Sequence, residues 1–88
     1  MKLIIAIIRD EDNEAVCQAL IEANFRVTQV ASTGGFLRKG STTLMIGVED
    51  ERVQGALKII RENTTQPQEP GMKRATIFVL NIAQFTQL

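Results

Sequence analysis

Within ten residues, 31–40, the chain places three of its six glycines, the adjacent cations Arg38 and Lys39, the hydroxyls of Ser32 and Thr33, and Phe36, one of four aromatics. Paired glycines admit positive φ and turn successive N–H groups into one concavity that suits an anion. Arg38 and Lys39 add positive charge, Ser41 adds a further hydroxyl, and Phe36 offers a flat apolar face. Anion donors beside an aromatic face suit a nucleotide-like ligand. The same residues also make an ordinary hairpin loop, with glycines for its turns and cations for solubility. A second candidate is the pair Arg26 and Thr28. In an extended segment they share a face, where a cation and a hydroxyl hold an anion; the alternative is an Arg ion-paired to a neighbour.

Other reactive types are scarce. The chain has no histidine, the commonest general base and metal ligand, and a single cysteine, which excludes an internal disulfide and leaves a zinc cluster without ligands. Cys17 could be a redox thiol, but no cation within a helical turn lowers its pKa, so it reads as a small packed hydrophobe. Glu49-Asp50-Glu51 could be a magnesium site, but three successive residues cannot all face one ion. The triplet reads instead as a helix start, with negative charge at the positive end. Ten Lys/Arg and ten Asp/Glu cancel, so no global field draws the protein to nucleic acid or an anionic membrane, and any anion site is local. The apolar run 3–8 is too short to span a bilayer, and residues 2–5 lack the small-residue cleavage site of a signal peptide. A cytoplasmic protein without membrane insertion is the expectation.

These residues need a frame, and 88 residues make one domain, 1–88. Residues 2–9 read as the first strand. Its core, Leu-Ile-Ile-Ala-Ile-Ile, is apolar on both faces, so both are covered, one by the chain's own helices and the other by a partner subunit. Asp10 or Asp12 then caps a helix whose stripe is Ala15, Val16, Ala19, Leu20 and Ala23, with Cys17 and Ile21 at its edge. That helix stops near Asn24, which tolerates the left-handed conformation. Residues 25–31 form a second strand, with Phe25 and Val27 toward the helices and Arg26 and Thr28 away from them. Residues 42–48 form a third, where Gly47 marks a bulge or a close backbone approach. Val53, Ala56, Leu57 and Ile60 line a second helix. Residues 63–73 are a polar, mobile connector holding both prolines, 74–82 are the last strand, and the tail 83–88 carries Phe85 and Leu88 without a clear period. The order βαββαβ predicts an α+β, ferredoxin-like sandwich, and that fold by itself assigns no function.

Several stretches in order, Ile4-Ile5-Ala6-Ile7, Asn24-Phe25-Arg26-Val27-Thr28, Ser32-Thr33-Gly34-Gly35-Phe36-Leu37, Gly40-Ser41-Thr42-Thr43 and Ile46-Gly47-Val48-Glu49-Asp50-Glu51-Arg52-Val53, closely resemble the PII-like cyclic di-AMP receptor family. The resemblance runs from residue 1 to about 60 and resumes over 75–87. It implies a bacterial, homotrimeric signal receptor with its sheets inside. It implies no enzyme and no cofactor, only the ligand cyclic di-AMP held between subunits and relayed by loop rearrangement to an unknown downstream protein. Carried over by motif, the ligand-binding positions are Asn24, Arg26, Thr28, Gly35, Phe36, Leu37, Gly47, Phe78 and Gln87, together with Ser41 where the family usually has Asn. Family members also carry a long glycine-rich insertion where this chain has only 63–73. That shortening keeps open a PII-like trimer that has lost or changed its nucleotide and serves as a protein-interaction module. An acylphosphatase-type enzyme shares the βαββαβ order, but its faint echo, Val53-Gln54-Gly55, falls inside a helical stripe without partner residues. A single-stranded RNA binder would need exposed aromatics on the central strands and a basic surface, which a net charge of zero does not supply.

Overall fold

The structure, a computed structural model, describes residues 1–30, 40–66, 71 and 73–88. Strand β1, Lys2–Arg9, is central. It pairs antiparallel with β3, Ser41–Val48, along its whole length, from Lys2 opposite Val48 to Arg9 opposite Ser41. Its other edge pairs antiparallel with β4, Ala75–Asn81. The short strand β2, Arg26–Val30, lies outside β3, giving the order β2-β3-β1-β4. With the helices α1, Asp10–Glu22, and α2, Val53–Glu62, this is the expected ferredoxin-like arrangement.

Alternation along each strand sorts the side chains into two faces. Ile4, Ala6 and Ile8 of β1 join Leu44, Ile46 and Val48 of β3 in one buried cluster with Val16 and Leu20 of α1 and Val53, Ala56 and Ile60 of α2. The alternate residues, Leu3, Ile5, Ile7 and Met45, face the other way and are only half-buried. Both helices therefore cover the same face of the sheet.

The end of α1 follows the sequence closely. Asn24 takes a φ of 68°. Its N–H donates to the Ile21 carbonyl at 3.0 Å, and the Phe25 N–H donates to the Leu20 carbonyl at 3.0 Å. That pair of bonds is a Schellman stop, which satisfies carbonyls the helix leaves open. Arg52, in the 3₁₀ turn Asp50–Arg52 ahead of α2, seals it: its guanidinium donates to the Ala23 carbonyl at 2.8 Å and lies 3.9 Å from the centre of the Phe25 ring.

Four local expectations are corrected. Neither Asp10 nor Asp12 caps α1; the cap position is Arg9, with no side-chain cap bond, and both carboxylates serve tertiary partners described below. The buried line of α1 is Asp12, Val16 and Leu20, four residues apart, while Ala15 is exposed and Ile21 is 60% exposed. Gly47 makes no bulge, since its pairing with Leu3 and Arg26 is continuous. The first residues of the 63–73 connector are packed: Thr64 is buried and Thr65 is hydrogen-bonded to Asp12. The stretch 31–39 and, within the connector, 67–70 and 72 lie outside the described residues.

Candidate functional site

The strand register lays the open face out in rows. One row runs Arg26, Gly47, Leu3, Leu80, and the next runs Thr28, Met45, Ile5, Phe78. At the β2 end of these rows a pocket of about 410 Å³ opens, lined by Leu3, Arg26, Thr28, Met45, Gly47 and, from the two ends of the chain, by Met1, Ile82, Phe85 and Gln87. Gly47 lies in the lining, where a Cβ would meet the Met1 methyl at an ordinary contact distance of 3.6 Å.

The tail 82–88 has no regular element, yet it is tied down at two points. The Ile82 N–H donates to the Met1 carbonyl at 3.1 Å, and the Arg26 guanidinium donates to Gln87 Oε1 at 3.3 Å. Met1 is anchored in turn by its ammonium, 3.0 Å from Asp50 Oδ1. The hydrogen bond from that ammonium holds the Asp50 carboxyl below its ordinary range. Among the described residues Arg26 makes no ion pair, so the positive charge in the pocket has no carboxylate partner there. The pocket is thus divided: Leu3, Met45 and Phe85 give it apolar walls, and Arg26, Thr28 and Gln87 give it donors and acceptors.

Of the ten residues singled out in the sequence, four line this one pocket: Arg26, Thr28, Gly47 and Gln87. Asn24 is exposed at the entry to β2, two residues ahead of Arg26. Phe78 is 51% exposed on the same open face, across β1 from Met45, and does not line the pocket. Ser41 is remote: it pairs with Arg9 at the far end of β3, about 20 Å from Gly47 at the usual rise per residue. It lines a different cleft, of about 670 Å³, between Arg9, Asp10 and the residues leading into β4. Gly35, Phe36 and Leu37 lie outside the described residues. Sequence reasoning missed Met1, Leu3, Met45, Ile82 and Phe85 as pocket residues. The signal for Met45 was its alternation with Gly47; Phe85 lies in a tail without a regular element and offered no such signal.

Cys17 does not belong to this site. Its thiol donates to Asn13 Oδ1 at 3.3 Å, it packs against the core, and burial pushes its pKa up.

A four-stranded α+β domain with a divided pocket of about 410 Å³ at one edge of a sheet face that no described element covers has the form of a small-molecule binding module. The chain belongs to the cyclic-di-AMP receptor family, whose sequence pattern matches residues 1–70. That span includes Asn24, Arg26, Thr28, Ser41 and Gly47 and ends before Phe78 and Gln87. The chain is also similar to a functionally unknown protein from Pediococcus pentosaceus, known from its crystal structure. The two are 38% identical with a TM-score of 0.78, over 99% of this chain and 96% of that one.

Proposed function

We propose that this protein is a cyclic di-AMP receptor, not an enzyme, that binds its nucleotide at the Arg26–Gln87 pocket between the subunits of a homotrimer and relays binding through rearrangement of the adjoining loops. The observation that carries this reading is the convergence of Arg26, Thr28, Gly47 and Gln87, from three separate parts of the chain, on one pocket of about 410 Å³. Arg26, without a carboxylate partner among the described residues, supplies a cation for a phosphate, and Thr28 a hydroxyl beside it. Phe85 supplies a flat apolar face for a base, and Met45 and Leu3 further apolar contact. The open face supports the trimer. Phe78 is 51% exposed and Leu80 46%, beside half-buried Leu3, Ile5 and Ile7, and an apolar sheet face of this kind is buried by association. In such an assembly Phe78 of one copy and Arg26 of another can meet one ligand, which explains why Phe78 lies off the pocket within a single chain. No helix among the described residues is long and apolar enough to cross a membrane.

The test is isothermal titration of the purified protein with cyclic di-AMP, with cyclic di-GMP and ATP as controls. Saturable binding near one cyclic di-AMP per subunit, selective over both controls, is the expected result. Absence of binding to a folded protein overturns the reading.

A further inference from the structure

The first turn of α1 holds the ends of two separate segments. On one side the Asp10 N–H donates to the Gly40 carbonyl at 2.8 Å, and the buried Thr42 hydroxyl donates to the Asp10 carboxylate. Gly40 and Thr42 are the residues that lead out of segment 31–39 into β3. On the other side the Asp12 carboxylate, only 2% exposed, accepts the Thr65 N–H at 3.2 Å and sits 3.5 Å from the Thr65 hydroxyl. The Arg9 guanidinium completes that side, donating to the Thr65 hydroxyl at 2.6 Å and to its carbonyl while its Nε lies 3.5 Å from Asp12. Thr65 leads from α2 into the connector before β4. Successive helical residues are turned by about 100°, so Asp10 and Asp12 point to nearly opposite sides of the turn and reach different segments.

We propose that this single turn, Arg9 to Asp12, is a staple that mechanically couples the two segments, so that loosening the Gly40–Thr42 root loosens the Thr65 root and the reverse. The physical reason is the buried Asp12 carboxylate. A buried charge stripped of its partners is strongly disfavoured, so Asp12, Arg9 and Thr65 stay together or come apart together. Asp10 and Asp12 share one turn of hydrogen-bonded backbone, so a shift that frees Asp10 from Gly40 displaces Asp12 as well. Thermodynamic coupling between two sites is reciprocal, and a purely local fastening is not. The staple stands independently of any ligand. Only on the receptor reading above does it also give the nucleotide pocket a route to the connector.

Amide hydrogen exchange of the full chain without ligand tests this. In Thr42→Val, amides at 64–66 should exchange about five-fold faster or more, although the Thr42 hydroxyl donates to Asp10 and to none of them. In Asp12→Asn, amides at 40–42 should quicken on the same scale. Thr42→Ser, which keeps the hydroxyl, should return both roots to the wild-type rate. Quickening confined to the substituted root, with the other root unchanged, overturns the proposal. If Thr42→Val opens the whole sheet, seen as faster exchange over Ile4 to Ile8, the Asp12→Asn arm decides alone. Because no nucleotide is present, failure here is separate from failure of the titration.

Discussion

The two faces of one sheet are built from the same strands and meet different ends. On the covered face Ile4, Ala6, Leu44 and Ile46 are fully buried beneath the helices. On the open face their immediate neighbours in sequence are just as apolar, yet Phe78 and Leu80 stand about half exposed. Among the described residues the helices bury the centre of the first face, leaving only its β4 edge open at Val79, whereas the second face has no such cover. A strand apolar on one side needs only helices, whereas a strand apolar on both needs something beyond the chain. The pocket lies where the unfinished face runs out at β2, and it is there that polar side chains interrupt the apolar surface.

The sharpest way to break this contrast is a charge on the open face. Leu80→Lys would bury an unpaired ammonium in each subunit contact of the proposed trimer, costing several kcal/mol per copy. Light scattering should show monomers, while circular dichroism keeps the spectrum of the folded chain. A variant that stays trimeric contradicts the assignment of this face. Next comes truncation on the covered face. Leu44→Ala removes a fully buried side chain from the cluster and should cost about 2–5 kcal/mol in urea unfolding. A loss under about 1 kcal/mol would mean that the helices collapse into the gap. At the boundary between the faces, Arg26→Ala should weaken cyclic di-AMP by roughly 1.5–3 kcal/mol, the scale of a hydrogen bond to a charged group. Unchanged affinity in that variant removes Arg26 from the site. The smallest effect concerns Cys17. Its pKa is raised by burial, so the neutral thiol persists to higher pH than in an unfolded chain. Iodoacetamide at pH 8 should therefore modify the native protein more slowly than the urea-unfolded one, and equal rates would place the thiol in water.

Much of the frame was legible because it is periodic. The unbroken apolar run of β1 announced two faces needing cover, and the alternation of Phe25, Arg26, Val27 and Thr28 set which of them meet the helices. The spacing of Val53, Ala56 and Ile60 fixed the buried line of α2. What escaped was contact between residues distant in sequence. Asp10 and Asp12 look like helix caps in any local window, but their partners lie 32 and 53 residues away. Phe85 lies in an aperiodic tail, so no local pattern marks it as a pocket residue. Ser41, which the resemblance groups with the ligand residues, pairs with Arg9 at the other end of β3 from Gly47 within one chain, a placement its own strand does not display. Strand pairing decides such matters, and a single strand does not display its own register.

Asn24 has a consequence for tracing this fold through other sequences. It holds a left-handed φ of 68° that ends α1, a conformation that Asn and Gly tolerate and branched side chains do not. A relative that bound no nucleotide would still need a residue of this kind to turn the chain from α1 into β2. Asn24 is thus a poor witness to ligand use, and Arg26, exposed and unneeded by the core, is the informative one. A relative with the Asn but without the Arg has kept the turn and given up the cation.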